Sequence, residues 1–342
     1  MPNREKSEVR VGLTYDLASD YRLTGASEED IAEFDREDTI EGIEQSLRAM
    51  GHRTERIGGI RNLAAQLVAG RRWDLVFNIA EGYHGAARES QVPALLDAYQ
   101  IPYTFSDPLV LAIALHKGHA KTIVRAAGVR TADYRLITCL DDLEKVDLSI
   151  PLFAKPVAEG TSKGISANSV INDHGQLRAV TGDLLSRYKQ PVLIESYLPG
   201  REFTVGVLGT GRRARALGSL EIGMVGDADV GVYTYRNKKE FVGKVEYHWV
   251  NAANDPVVAS VEIVAISAWR ALGCRDAGRV DVRLDDAGSP CFIEVNPLAG
   301  LNPEISDLAI LVRETGFGYQ ALIEGIVEEA LTRRSITDLC DP

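Results

Sequence analysis

Cysteine, methionine and tryptophan are scarce in this 342-residue chain, at four, three and three residues. Cys139, Cys274, Cys291 and Cys340 lie scattered, without the spacing of a zinc site or of a disulfide framework. A reducing compartment suits them. No apolar run approaches the roughly 20 residues that cross a bilayer as a helix. The start, Met1 to Arg10, is charged and lacks an apolar signal core. Cys340 is followed by only two residues, so it is not a prenylation box. An excess of positive charge is missing too. The formal net charge is -11, which argues against a general nucleic-acid role. These absences lead us to expect a cytoplasmic protein with small-molecule substrates and neither a nucleic-acid nor a membrane partner. A homodimer is compatible with them.

What is present suits a soluble globular protein. Hydrophobic residues make up 45% of the chain, and the length allows two or three domains with real cores. Val9 to Tyr15 and Trp73 to Ile79 read as strands. Ile40, Ile43, Leu47 and Met50 repeat at helical spacing up to Gly51. Gln91 to Tyr99 and Lys117 to Ala127 read as helices. The acidic, weakly patterned run Tyr21 to Asp38 reads as a loop with freedom to move. Alternating strand and helix up to about residue 115 predicts a small α/β domain with a mostly parallel sheet. From Leu152 the texture changes to glycine-punctuated strands (152–155, 192–196, 203–208, 214–220), with helices near 175–187, 257–272 and 319–331.

The stretch from Gly278 to Ser306 is the most informative. Gly-Arg-Val-Asp-Val-Arg-Leu and Cys-Phe-Ile-Glu-Val-Asn-Pro flank a turn signal, which predicts a β-hairpin. A turn at Ala287-Gly288 sets Asp281 opposite Glu294 and Arg279 opposite Asn296, all on one face. Val280, Val282, Leu284, Cys291, Ile293 and Val295 then form an apolar core face. Opposed carboxylates repel, a pairing that a cation between them makes tolerable. Two carboxylates and an amide oxygen are hard ligands suited to Mg²⁺. A solvated polar hairpin face is the alternative reading of the same pattern.

Two further segments carry weaker signals. Lys155 ends a short apolar strand and is followed by Glu159-Gly-Thr-Ser-Lys-Gly164. Backbone N–H groups and hydroxyls of such a loop can meet phosphate oxygens, and a lysine before it can reach the same phosphates as a point charge. The spacing is not that of a P-loop, and alone it also fits an ordinary turn. Glu195 closes the strand Val192-Leu-Ile-Glu-Ser, and Glu202 opens the next one after Pro199-Gly200. These acids can accept from a nucleobase amine and a ribose, or simply sit beside a turn.

Taken together and in this order, these segments resemble the ATP-grasp superfamily, and within it the D-alanine–D-alanine ligases and their relatives. The resemblance covers about residues 75–331. It rests on Lys117 and its helix, Phe153-Ala-Lys-Pro with Glu-Gly-Thr-Ser-Lys-Gly, Glu195-Ser-Tyr-Leu with Arg-Glu-Phe-Thr-Val, Gly278-Arg-Val-Asp and Glu294-Val-Asn-Pro. It implies an N-terminal α/β substrate-side domain (1–115), a central ATP-grasp domain (116–196) and a C-terminal ATP-grasp domain with the hairpin (197–342), with ATP between the last two. It implies that Lys117 and Lys155 meet ATP phosphates under a loop carrying Thr161 and Ser162. Glu195, Tyr197 and Leu198 match the adenine site, and Glu202 the ribose acid. Lys238, with Lys239 as a rival, resembles the lysine that reaches the γ-phosphate. Asp281, Glu294 and Asn296 match Mg²⁺ ligands, with Mn²⁺ as a substitute, and Arg279 matches the arginine facing the tetrahedral oxyanion.

The departures fall in substrate-facing regions. D-alanine–D-alanine ligases usually carry a Glu-Arg-Glu-Val-Ser-like run, a His-Gly-x-x-Gly-Glu-Asp-Gly loop and an Asn-Thr-x-Pro-Gly-Met-Thr segment. Here stand Asp35-Arg-Glu-Asp-Thr39, Phe77-Asn-Ile-Ala-Glu-Gly82 with Arg88-Glu-Ser-Gln91, and Asn296-Pro-Leu-Ala-Gly-Leu-Asn-Pro-Glu-Ile-Ser-Asp307. Glu81, Arg88, Glu89, Asn302, Ser306 and Asp307 are therefore the expected amino-acid-site residues, with Ser306 close to the chemistry. Arg88 and Glu89 also fit a plain helix start, where an acid suits the dipole. The chain resembles most the ligase-like group that condenses amino acids in secondary metabolism, such as the ligases acting on mycosporine-glycine. The expected reaction joins a carboxylate to an amine through an acyl phosphate, giving ADP and phosphate. A true D-alanine–D-alanine ligase, a kinase without ligation and a non-catalytic ATP-binding module are the alternatives.

Overall fold

The computed structural model describes residues 8–224 and 245–335. Three sheets follow one another along the chain. The first is parallel, β2-β1-β3, built from β1 (Arg10–Thr14), β2 (Arg53–Arg56) and β3 (Leu75–Asn78). In β1 and β3 the residues past Arg10 are buried on both faces, as a sheet covered by helices requires. The helix Glu37–Ala49 covers it, sinking Ile40, Ile43 and Leu47 into the core, and Arg36 and Thr39 at its N-terminal end line the larger cavity described below. This is the expected mostly parallel α/β unit.

The second sheet is antiparallel, β4-β7-β5-β6, from β4 (Tyr134–Ile137), β5 (Leu152–Pro156), β6 (Val170–Ile171) and β7 (Val192–Ser196). The helix His174–Tyr188 packs on it, and its N-cap Asp173 accepts from the Gln176 N–H. The third is antiparallel, β10-β9-β8-β11-β12, from β8 (Glu202–Leu208), β9 (Arg215–Met224), β10 (Val245–Val250), β11 (Ala277–Leu284) and β12 (Pro290–Asn296). The helix Pro256–Leu272 buries Val258, Val261, Ala265 and Trp269 against the apolar side of β8, β11 and β12. Among the described residues no helix is long and apolar enough to cross a membrane.

The acidic run 21–38 is docked rather than free. Ile31 and Phe34 are buried, and Tyr21, Phe34 and Tyr83 form one aromatic cluster. Glu33 pairs with Arg88 at 2.9 Å and with Lys163 at 3.1 Å, and Tyr188 donates to Glu29. All of these partners lie far away in sequence, so the local pattern carries no trace of the docking.

Candidate active site

The hairpin has the expected register at its site end. Arg279 pairs with Asn296 and Asp281 with Glu294. The turn differs. The Asp285 N–H donates to the Ser289 carbonyl (2.9 Å) and the Gly288 N–H to the Asp285 carbonyl (3.1 Å). The loop therefore has three residues, 286–288, with Gly288 left-handed at φ 75°. Val282 then pairs with Phe292, and a β-bulge at Ile293 restores the register beside Asp281. The bulge also revises the expected core face. Phe292 is fully buried with Val280, Val282, Leu284 and Val295, whereas Cys291 and Ile293 pack with Leu198 on the other side.

On the polar face, Arg279 Nη1 lies 2.8 Å from each Asp281 oxygen, and Thr204 Oγ1 donates to Asp281 Oδ1 at 2.7 Å. Asn296 Nδ2 stands 3.4 Å from Asp281 Oδ2, and Lys117 Nζ 3.5 Å from Glu294. Burial and the nearby Glu294 push the Asp281 carboxyl up, against the pull of Arg279. Among the described residues no cluster of three His, Cys, Asp or Glu side chains can hold a metal. The donors here are two carboxylates and one amide oxygen, a hard oxygen set that fits a divalent cation such as Mg²⁺.

Two cavities meet at this face. The smaller, about 80 Å³, lies between the second and third sheets. Phe153, Ile165, Leu198, Ile222 and Ile293 supply apolar wall, and Lys155, Glu195, Tyr197, Glu202 and Ser162 supply polar groups. Glu195 lies 2.8 Å from Lys155 and 2.8 Å from Lys121. Burial alone would raise its carboxyl, yet the two lysines hold it down to about 2. Glu202 pairs with Arg283 at 3.0 Å, and burial still raises its carboxyl.

The larger cavity, about 410 Å³, lies between the first and third sheets. Of the expected substrate-side residues, Glu81, Glu89, Asn302, Ser306 and Asp307 line it. Arg88 does not: its guanidinium is taken up by Glu33 and by the Ala158 carbonyl at 3.0 Å. The fork that could grip a substrate carboxylate grips the protein's own. Asn302 braces the wall, donating to Asp38 (2.8 Å) and Thr39 (3.0 Å). Its N–H donates to Ser306 Oγ at 2.9 Å. Asp307 accepts from Tyr247 (2.8 Å) and lies 3.5 Å from Arg279. Burial, then the nearby Glu89, Glu33 and Asp35, push the Glu81 carboxyl well up. Glu89 is raised to about 7 by burial and by Glu33, against Arg88.

Thr161, Arg279 and Glu294 line both cavities. Thr161 and Ser162 hold left-handed φ of 48° and 56°, a conformation costly for non-glycine residues. Their loop is braced from both sides: Lys117 donates to the Glu159 carbonyl, and Lys163 pairs with Glu159 at 2.7 Å. At Gly160 a Cβ would fall 2.1 Å from Glu33 Oε1, so a side chain here would have to displace the Glu33 carboxylate from its place between Arg88 and Lys163. Lys238 and Lys239 lie outside the described residues. Sequence reading did not single out Lys121, Arg283 or Glu33. For Lys121 a signal existed, four residues after Lys117 on the same helix face.

The described geometry has known counterparts. Residues 123–328 match the family model described as D-ala D-ala ligase C-terminus. D-alanine–D-alanine ligase B of Brucella melitensis biotype 1 is 33% identical over 292 residues, covering 83% of this chain and 87% of that protein. The chain belongs to the D-alanine–D-alanine ligase family. It is therefore an enzyme, an ATP-dependent ligase that forms C–N bonds. The uncharacterized protein y4sG of Sinorhizobium fredii is 29% identical over 308 residues, covering 86% of this chain and 87% of that protein. Among solved structures, the D-alanine–D-alanine ligase of Bacillus anthracis complexed with ATP superposes with a TM-score of 0.72 at 21% identity. It covers 96% of this chain and 99% of its own. VanG D-Ala:D-Ser ligase of Enterococcus faecalis gives the same score at 17% identity, covering 95% of this chain and all of its own. The fold is that of the ATP-grasp ligases.

Proposed function

We propose that this chain joins the carboxylate of one amino acid, or an amino-acid-like acid, to the amine of another through an acyl phosphate. One observation carries this reading: the two cavities share Thr161, Arg279 and Glu294. A phosphoryl donor in the smaller cavity and an acceptor carboxylate in the larger one would meet there.

In this reading ATP occupies the smaller cavity, and the chain divides into 1–115, 116–196 and 197–342. Ile293, Leu198 and the backbone near Tyr197 enclose the base, Glu195 accepts from its amine, and Glu202 accepts from the ribose. Lys117, Lys155, Thr161 and Ser162 hold phosphate oxygens, and Lys238 reaches the γ-phosphate. Asp281, Glu294 and Asn296 would hold Mg²⁺. Such an ion neutralises charge on the phosphates during transfer. Arg279 lies where the tetrahedral oxyanion would form, a contact typically worth about 3 kcal/mol. Ser306, Asp307, Glu81 and Glu89 face the amino acids, and Arg88 acts from behind by fixing Glu33. The docked 21–38 segment keeps water from the acyl phosphate.

We assign the substrates to secondary metabolism rather than the cell wall, because the departures from the usual motifs fall on the wall of the larger cavity. Similarity to curated relatives named D-alanine–D-alanine ligase, 32–33% identical, favours true D-alanine–D-alanine ligation as the second reading. The test is phosphate release screened over paired amino acids, D-alanine included, with mass spectrometry of products. An amide with D-alanine alone establishes the second reading. A stable phosphorylated product without an amide overturns ligation in favour of a kinase.

A further inference from the structure

Beside the smaller cavity one carboxylate holds two ammonium groups. Lys121 comes from the helix Lys117–Ala126, Lys155 from β5 and Glu195 from β7. Lys155 Nζ lies 2.8 Å from Glu195 Oε1, and Lys121 Nζ lies 2.8 Å from Glu195 Oε2. Their surroundings differ. Lys155 lines the cavity, whereas Lys121 lines neither cavity and is fully buried. Lys121 also donates to Thr131 Oγ1 at 2.9 Å and approaches the Phe292 carbonyl at 3.4 Å. With Glu195 Oε2, met as an ion pair, these contacts surround the ammonium on three sides. Lys121 is fixed. Lys155 meets Glu195 and the face of Phe153, 5.8 Å from the ring centroid, with Glu294 and Glu202 acting on it at longer range.

We propose that Lys121 is a positioning residue that lets Lys155 exchange Glu195 for a nucleotide phosphate. This rests on reading Lys155 as a phosphate contact. Stripping a buried carboxylate of its last partner is strongly destabilising. With Lys121 standing on Oε2, Glu195 keeps a counter-ion when Lys155 turns away. It also keeps its orientation, with the remaining lone pairs open to the cavity. Without Lys121, Lys155 becomes the sole counter-ion of Glu195 and is held back from the phosphates.

The test compares adenosine, which has no phosphate, with ADP. Affinities of both are measured by displacement calorimetry with Mg²⁺ for the full chain and for Lys121→Met, Glu195→Gln, the double variant and Lys155→Ala. We expect Lys121→Met to weaken ADP by about tenfold more than adenosine, roughly 1.4 kcal/mol. In the Glu195→Gln background, adding Lys121→Met should leave the ratio of the two affinities unchanged, because the carboxylate that Lys121 and Lys155 share is then gone, while Glu202 and Glu294 act on Lys155 equally in both proteins. Equal loss of both ligands, no loss of either, or an undiminished effect in the Glu195→Gln background would overturn the proposal. If Lys121→Met alone does not fold, Glu195→Gln against the double variant still decides by the same ratio. Lys155→Ala separates the two claims: wild-type ADP affinity in that variant removes the phosphate reading itself.

Discussion

Asp281→Asn separates the stability of the site from its chemistry. Removing one partner of a buried ion pair typically costs about 3–5 kcal/mol. The Arg279 and Asp281 side chains are 13% and 11% exposed, so most of that cost applies. Three features reduce it. Asparagine keeps one carbonyl oxygen for Thr204 or Arg279. Arg279 retains Asp307 at 3.5 Å. The repulsion from Glu294 directly opposite, worth up to about 1 kcal/mol, disappears. The expected destabilisation is about 1–3 kcal/mol, read as a lower urea midpoint with an unchanged slope.

Turnover should fall much further. Groups that merely hydrogen-bond to metal ligands are worth about 10–100-fold, so if Asp281 holds the cation its loss should cost at least about 100-fold, or about 2.7 kcal/mol of barrier. The assay is phosphate release at saturating ATP across a Mg²⁺ titration, with an amino-acid pair that the wild-type chain couples. A higher Mg²⁺ requirement and lower turnover are expected together, in protein that is folded by circular dichroism. Wild-type phosphate release at ordinary Mg²⁺ would remove Asp281 from any metal-holding role.

Lys155→Ala should weaken ADP binding as well as turnover, checked by calorimetry and steady-state kinetics. Ser306→Ala should raise the Michaelis constants for the amino acids and leave that for ATP nearly unchanged; the reverse pattern would take Ser306 out of the larger cavity's chemistry. Arg88→Ala should also raise the amino-acid constants, and in addition lower the urea midpoint, because Glu33 loses a partner at 2.9 Å. Glu89 supplies a pH dependence. Its folded value of about 7 lies above the ordinary carboxylate value of 4.5. Between those values the folded state binds the extra proton, so stability falls as pH rises through that window. Glu89→Gln should flatten this part of the stability–pH curve in urea titrations, and an unchanged curve would show that Glu89 ionises normally.

The parts of this molecule legible in the sequence are those whose partners are local. The helix 37–49 announces itself by the spacing of Ile40, Ile43 and Leu47 and by the Gly51 that follows it. The hairpin does so by alternation. The helix Pro108–Leu115 leaves no periodic signal, because Pro-Leu-Val-Leu-Ala-Ile-Ala-Leu is apolar all round. Strand β2, Arg-Thr-Glu-Arg, is silent for the opposite reason. It is a polar edge strand, bonded only to β1, with no apolar face to betray it. At Arg88 the local sequence shows the chemistry and not the partner. An arginine beside an acid-rich loop does grip a carboxylate, but Glu33, 55 positions earlier, supplies it. The docked 21–38 segment depends on such distant pairs, which no window of sequence contains.

The bulge at Ile293 shows how one residue can serve two requirements of the site. The three-residue loop by itself would carry its pairing straight along the hairpin, setting Asp281 opposite Ile293 and Arg279 opposite Val295. A slip of one residue moves every side chain of a strand to the other face, so Glu294 and Asn296 would then leave Asp281 and Arg279. Inserting Ile293 cancels the slip after Phe292 and brings the two carboxylates together. The inserted side chain does not return to the core, which Phe292 already fills; it joins Leu198 on the wall of the smaller cavity. The apolar surface that would enclose a base and the register that would hold a cation therefore come from the same backbone irregularity. A change that removed the bulge would disturb both at once, whereas changes in the Asp285–Ser289 loop that preserve the bulge would leave both in place.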